Sequence, residues 1–344
     1  MIKSDIEKLF ADISKMKVAV IGDVMLDTYW WGNVERISPE APVPVVAVSK
    51  REKRIGGAGN VALNAKMLGA SVAVLTLLGI DDDGNEVKTL LQENGIDTRF
   101  IITSRKRITT NKIRIISRNQ QMLRLDAECA DDLDADDEEK LIGIINKYIQ
   151  AEQPDVVIME DYNKGIFTKN VIAETIALCS KAGIVTAVDP KRKNFFEYKG
   201  VTLFKPNLNE AITALNILPA GISPESLPSI HEQLKEHLSH KISLITLSEK
   251  GIFYKIDDED QIIPAHKREI ADVSGAGDTV IAVASLIYAA TNNINDAARL
   301  ANIAGGLVCE EVGTVPISKE KLLNESLAIQ KQFKLKEATA SSTK

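Results

Sequence analysis

The chain has 344 residues, 44% hydrophobic and 26% charged, with a formal net charge of −6; this is the composition of one large or two smaller globular units and excludes a disordered or collagen-like chain. The acidic balance, with no basic run longer than Lys50-Arg51-Glu52-Lys53-Arg54, excludes a broad nucleic-acid surface. Cys129, Cys179 and Cys309 stand far apart without a CxxC, the pattern of reduced structural thiols in a cytoplasmic protein rather than of a metal site or a disulfide framework.

In chain order, residues 1–17 carry Asp5, Glu7 and Asp12 among apolar positions, which predicts a short amphipathic helix rather than a signal peptide. Nothing later is long and apolar enough to span a membrane. Residues 17–22 predict a buried strand delivering a loop with Asp23 and Asp27, and 42–48 a second strand. The turn Gly56-Gly57-Ala58-Gly59-Asn60 then opens a helix through Val61, Leu63, Ala65, Met67 and Leu68 that stops at Gly69, before a strand at 71–79. Further alternation follows: strand 155–160 and helix 170–181, strand 185–189, strand 202–205 and helix 210–215, strand 242–247. Such alternation predicts a mostly parallel sheet with helices on both faces.

Two stretches, 43–53 and 111–126, interleave charges with β-formers, the second around a hairpin turn at Arg118-Asn119-Gln120. They predict a small antiparallel lid on the sheet edge, with strands within 33–54 and 105–127. The acidic run 131–139 lacks the glycine and final glutamate of an EF-hand and suits a helix N-terminus. His231, His237 and His240 are expected on a solvated helix or its end, and with His266 they fit no metal or triad pattern. Residues 1–334 are expected to form one domain and 335–344 a disordered tail.

The segment Ala271-Asp272-Val273-Ser274-Gly275-Ala276-Gly277-Asp278-Thr279 leads into an apolar run. Glycines before a helix leave unpaired N–H groups at the positive end of its dipole, an anion site. Asp278 there is poorly suited to holding a phosphate but well suited to taking a proton from a hydroxyl about to attack one. Taken alone, Gly-x-Gly-Asp is also an ordinary helix start. No Gly-x-x-x-x-Gly-Lys-Ser/Thr occurs. Asn207 and Glu210, after a strand, can hold a hydrated Mg²⁺ or form a capping box, and the two roles are compatible. Asp23, Asp161, Asp189, Asn207 and Asp278 all fall at strand or helix ends, which gathers them at the edge where open α/β sheets bind ligands.

From Val18 to Pro316 the chain resembles the ribokinase family of sugar kinases, also called the phosphofructokinase-B family. Gly56 to Asn60, Asn207 to Glu210 and Asp272 to Asp278 stand in that family's order and spacing. Within it, Gly22 to Asp27, Trp31-Gly32, Arg36 to Val45, Ser117 to Gln121, Leu123 to Asp126 and Asp161 to Gly165 are similar to the kinases of D-glycero-D-manno-heptose 7-phosphate in lipopolysaccharide core synthesis. The resemblance implies a three-layer α/β/α fold with a β-strand lid and an ATP- and Mg²⁺-dependent transfer to the anomeric O1, giving the 1,7-bisphosphate.

It further implies Asp278 as base and the Gly275, Ala276 and Gly277 amides as phosphoryl binders. Asp27, Gly56, Gly57, Asn60 and Asp161 would hold the sugar, and Lys112, Arg124, Lys164 and Lys191 are candidates for its distal phosphate. Asn207, Thr246, Ser248, Gly251 and Asn302 would lie along ATP, and Asn207 and Glu210 would organise Mg²⁺ through water. Ser274 replaces a frequent threonine and Ser248 a frequent glycine. Related kinases often hold a monovalent cation near Asp272 and Gly313-Thr314. Exposed apolar lid residues such as Val45, Val46 and Ile115 predict a homodimer through the lid. Many relatives carry a fused adenylyltransferase, expected here as a separate partner.

Three alternatives remain. One is a kinase of another sugar or sugar phosphate. The second is a nicotinamide-dependent oxidoreductase, because Gly57 to Ala62 mimics Gly-x-Gly-x-x-Ala with Asp81 about 20 residues on, although a loop at 50–55 separates it from its strand. The third is a catalytically silent sugar-phosphate sensor.

Overall fold

In the computed structural model, which describes residues 3–118, 120–219 and 222–341, strand β1 (Lys17–Gly22) is buried from Val18 onward. Its side chains enter two cores in alternation: Val18 and Val20 one, Ala19 and Ile21 the other. This two-sided burial is what an uninterrupted apolar strand specifies. β1 pairs in parallel with β4 (Ser71–Gly79) and β8 (Val156–Glu160). β5 (Ile101–Ser104) continues the parallel sheet on one side, and β9 (Val185–Asp189), β10 (Leu203–Phe204) and β11 (Ile242–Thr246) on the other. β12 (Ile252–Ile256) and β13 (Glu259–Ile263) finish that edge antiparallel. Among the described residues the order is β13-β12-β11-β10-β9-β8-β1-β4-β5.

One face is covered by α1 (Lys3–Ile13), α2 (Ala58–Met67), α3 (Asp82–Glu93), α8 (Ala276–Thr291), α9 (Ile294–Val308) and α10 (Lys319–Ser341). The other carries α4 (Ala135–Glu152), α5 (Lys169–Ala182), α6 (Leu208–Ala214) and α7 (Leu227–Leu238). The acidic run starts α4: Asp134 caps it by accepting from Asp137 N at 3.0 Å, and Asp136, Asp137 and Glu138 fill the first turn. This is the expected three-layer α/β/α fold. α10 continues to Ser341 where the sequence predicts a tail, because lysine, glutamate and alanine around 335–340 favour helix; residues 342–344 lie outside the described residues.

A second sheet joins β2 (Val24–Ile37), β3 (Pro44–Gly57), β6 (Thr110–Ser117) and β7 (Gln120–Ala127) in the order β3-β2-β6-β7. It is mixed rather than antiparallel, since its central pair β2–β6 is parallel. The chain reaches β6 by a long crossover through α2, β4, α3 and β5, which allows a parallel pairing that a hairpin cannot make. Asp27 belongs to β2 and not to a loop, and residues 50–55 belong to β3; charges on a lid strand with solvent on one face do not interrupt it. β6 and β7 form the expected hairpin, with Asn119 outside the described residues. β7 is exposed along its whole length.

His231 and His240 are buried, contrary to the solvated positions expected of them, and both ring systems bond one hydroxyl. Ser243 Oγ lies 2.8 Å from His231 Nδ1 and 2.6 Å from His240 Nε2. Only His237 keeps to the exposed face. Burial pulls His231 down to about 4 and His240 to about 3. A depressed folded value means that the unfolded chain binds protons first, so stability is complete above pH 6.5 and drains as pH falls toward the folded values. At pH 5 the loss is about 2 kcal/mol for each histidine. His231→Asn with His240→Gln, which retain acceptors near Nδ1 and Nε2 without titrating, is therefore expected to flatten the denaturant-measured stability between pH 6.5 and 5. An unchanged slope would contradict this account.

Candidate active site

The β1 and β8 C-termini build one loop. Asp23, just after β1, accepts from the backbone N–H of Tyr162 (2.8 Å), Lys164 (3.0 Å) and Ile166 (3.2 Å). Burial raises its carboxyl and these bonds oppose the rise. Asp161 accepts from Tyr198 Oη at 2.8 Å and Asn163 N at 2.7 Å, and burial pushes it up to about 6. Its carboxylate thus braces the loop from inside. What that loop presents is Tyr162, whose hydroxyl donates to Asp278 Oδ1 at 2.7 Å.

Asp278 lies in the first turn of α8, 3% exposed. Gly275 caps that helix at φ 79°, and a Cβ there would stand 2.8 Å from Asn60 Nδ2; both the left-handed backbone and the close approach call for glycine. Asn60 Nδ2 donates to Asp278 Oδ2 at 2.8 Å. One turn along α2, Asn64 Nδ2 donates to Asn60 O, while its Oδ1 accepts from Thr279 Oγ1 and Ile317 N. This buried, satisfied network fixes the angle between α2 and α8. Helix geometry leaves the Gly277 and Asp278 amides without an intrahelical acceptor.

Opposite those amides stands a buried ion pair. Lys205 Nζ is 2.8 Å from Asp189 Oδ2 and 3% exposed. A Cβ on Gly277 would meet these two atoms at 3.7 and 3.6 Å. Lys191 Nζ reaches Asp189 Oδ1 at 3.3 Å and Glu210 Oε1 at 2.9 Å. Burial would raise Asp189, but Lys191 and Lys205 outweigh it and hold the carboxyl low. Glu160 is fully buried with both carboxyl oxygens unpartnered; burial pushes it well above the ordinary value, with Asp189 and Asp278 adding. Asp278 is raised by burial first, against the bonds from Asn60 and Tyr162.

The lid forms the neighbouring wall. Asp27 is ion-paired with Arg114 and accepts from Thr314 Oγ1 at 3.2 Å. A Cβ on Gly56 would fall 2.3 Å from Asp27 Oδ2, so that position must be glycine for the carboxylate to sit there. Of the cations proposed for a distal phosphate, Lys164 pairs with Glu128 at 2.7 Å, Arg124 with Asp126 at 2.9 Å, and Lys191 with Glu210. Lys112 has no carboxylate within ion-pair distance among the described residues; its ammonium lies 5.1 Å from the centre of the Tyr162 ring, and burial lowers its pKa.

On the other side of the β9–β11 ends an open cleft of about 530 Å³ is lined by Asn207, Glu210, Thr246 and Ser248 with Arg192 and Lys250. Asn207 and Glu210 form the capping box, with Glu210 N to Asn207 Oδ1 and Asn207 N to Glu210 Oε2 both 2.8 Å. Gly251 and Asn302 do not line the cleft; Asn302 Nδ2 donates to Pro264 O at 2.8 Å. Asp272 accepts from Ser274 N and Oγ and from Gly313 N.

Sequence reasoning passed over Tyr162, Lys205, Arg114 and Asn64 as site residues. Lys205 had a signal, since a lysine ending an apolar strand before Pro206 has no hydrophobic reason to be there. The oxidoreductase pattern meets a structural obstacle. β3 does run directly into its glycines, but it is an antiparallel lid strand, whereas the dinucleotide fingerprint opens a βαβ unit of a parallel sheet.

Free amides at a helix start, a buried carboxylate in the same turn and a buried lysine opposite suit transfer of a phosphoryl group to a hydroxyl, and the family match makes the chain a phosphotransferase of the sugar-kinase class. The chain belongs to the pfkB family of carbohydrate kinases, whose profile matches residues 15–321. It is similar to the bifunctional protein HldE of Geobacter sulfurreducens, 39% identical over 331 residues, covering 96% of this chain and 66% of that protein. The HldE of Sulfurimonas denitrificans is 39% identical over 315 residues, covering 92% and 65%. The chain thus spans about two thirds of the length of these relatives. In fold it is similar to Escherichia coli phosphofructokinase-2 in complex with potassium, with TM-score 0.73, 16% identity and coverage of 90% and 97%. It is likewise similar to Arabidopsis thaliana ribokinase complexed with ribose and ATP, with TM-score 0.70, 17% identity and coverage of 90% and 99%. No helix among the described residues is long and apolar enough to cross a membrane.

Proposed function

We propose that the chain transfers the γ-phosphoryl group of ATP to the anomeric hydroxyl of D-glycero-D-manno-heptose 7-phosphate. The observation that carries this reading is the buried Asp278 carboxylate in the first turn of α8, beside two helix-start amides without an intrahelical acceptor and opposite the buried Lys205. Asp278 takes the O1 proton as O1 attacks the γ-phosphorus, and the bond from that phosphorus to the bridging oxygen breaks, releasing ADP. The Gly275, Ala276 and Gly277 segment with Lys205 receives the charge on the transferring group. Asp27, Gly56, Gly57 and Asn60 hold the sugar, and Asp161 acts through the loop it braces.

Asn207, Thr246 and Ser248 face ATP. Gly251 acts by allowing the turn beside Ser248, and Asn302 by bracing Pro264. Asn207 and Glu210 offer hard oxygen atoms to the cleft, and among the described residues no group of three or more His, Cys, Asp or Glu could hold a bare metal ion. These oxygens fit a hydrated Mg²⁺ arriving with the nucleotide, which would neutralise its phosphate charge. The Asp272 and Gly313-Thr314 turn is the place for a monovalent cation. The same reading makes the chain a cytoplasmic homodimer through the lid, where Val45, Val46 and Ile115 are half-buried rather than exposed as the sequence predicts and the exposed apolar residues are Met122, Leu123 and Leu125 of β7, and its product is the substrate of an adenylyltransferase.

Lys112 is the cation that remains for the distal phosphate. Lys112→Met is expected to raise KM for the sugar phosphate about 10- to 100-fold with little change in kcat, the loss of one hydrogen bond to a charged group. The same experiment on Arg124→Met should leave KM near wild type; the reverse pattern would move the phosphate site outward. An ADP-release assay comparing heptose 7-phosphate, fructose phosphates, ribose and adenosine tests the acceptor, and preference for another sugar would displace it.

A further inference from the structure

We propose that Tyr162 is a positioning residue for the base: its hydroxyl, donated to Asp278 Oδ1, holds that side chain as the proton-accepting carboxylate and leaves its free lone pairs to the incoming hydroxyl. This rests on Asp278 being the base. The geometry assigns Tyr162 no packing duty that a phenylalanine could not perform, apart from this one bond of 2.7 Å. Its backbone is pinned at N by Asp23, whose carboxylate also holds the next turn of the loop. Two ammonium groups lie over its ring, Lys112 Nζ of the lid strand β6 at 5.1 Å from the centroid and Lys191 Nζ, which also pairs with Glu210, at 5.4 Å. These two cation–π contacts and the pinned backbone fix the aim of the hydroxyl at Asp278.

The electrostatics around Asp278 explain why such a donor is needed. Glu160 at the end of β8, Asp189 at the end of β9, Lys191 just past it, Lys205 after β10 and Asn60 on α2 all face this region. Burial and Asp189 favour the protonated acid, which cannot serve as a base; Asn60, Tyr162 and Lys205 favour the carboxylate. Burial and the nearby Asp278 push the Tyr162 hydroxyl well above the ordinary tyrosine value, so it stays a donor. A bond donated to the charged form lowers the carboxyl's pKa, and its removal raises it.

Tyr162→Phe keeps the ring under both lysines and removes the donor alone. Carbon-13 NMR titration of the Asp278 carboxyl in the substrate-free protein, assigned by its absence in Asp278→Asn, is expected to move up by about one pH unit in Tyr162→Phe. The acid limb of kcat/KM for the sugar phosphate should move up with it, so that activity lost at pH 7 returns at higher pH. A carboxyl that titrates at the same pH in both proteins overturns the role of Tyr162 while leaving the base in place, provided Asp278→Asn is inactive. Retained turnover in Asp278→Asn overturns both.

Discussion

Asp278→Asn is expected to lower kcat about 10²- to 10⁴-fold, the range for losing a general base, while ATP affinity stays within a few-fold of wild type. The amide has nearly the shape of the carboxylate and can still accept one of the bonds from Asn60 and Tyr162, so the α2–α8 arrangement should persist. What it lacks is the capacity to take a proton from O1. ATP affinity is expected to be insulated because the cleft proposed for ATP is lined by Asn207, Glu210, Thr246 and Ser248, none of which bonds Asp278. ADP release for kcat and calorimetry for ATP binding check the two halves of the claim. Turnover within tenfold of wild type would remove Asp278 from the chemistry.

Lys205→Met is expected to lower kcat about 10²- to 10³-fold, as removal of a preorganised donor to developing charge does, and to destabilise the fold as well. Asp189 would stay buried with only Lys191, at 3.3 Å, beside it. Breaking a buried pair by removing one partner costs about 3–5 kcal/mol. The two effects separate in the double variant Lys205→Met with Asp189→Asn. That protein should recover most of the denaturant-measured stability, since no unpaired charge remains, and should still turn over slowly. Recovery of both stability and turnover would make Lys205 a structural cation.

Legibility in the sequence followed the range of the interactions. β1, β4 and β9 stand where the sequence predicts them because each is a largely apolar, β-branched run ending in a glycine or an aspartate. The helix start at Asp278 is equally local: two glycines, an acid and an apolar run. What could not be read is pairing between distant segments. Tyr162 and Asn60 meet Asp278 across 116 and 218 residues, and no pattern near any of them announces it. The parallel β2–β6 pair depends on where a crossover of several elements returns. His231 and His240 were expected on a solvated helix or its end, yet His231 on α7 and His240 just past it both meet Ser243 on β11, contacts decided by packing between elements.

The reading that joins these residues is phosphoryl transfer to an anomeric oxygen, and phosphorus-31 NMR observes the phosphate placed on that oxygen. The purified chain with ATP, Mg²⁺ and D-glycero-D-manno-heptose 7-phosphate is expected to produce ADP together with a new anomeric phosphate resonance coupled to H1, the signal of the 1,7-bisphosphate. A mixture that shows no such resonance, while fructose 6-phosphate or ribose is phosphorylated under the same conditions, would contradict the account.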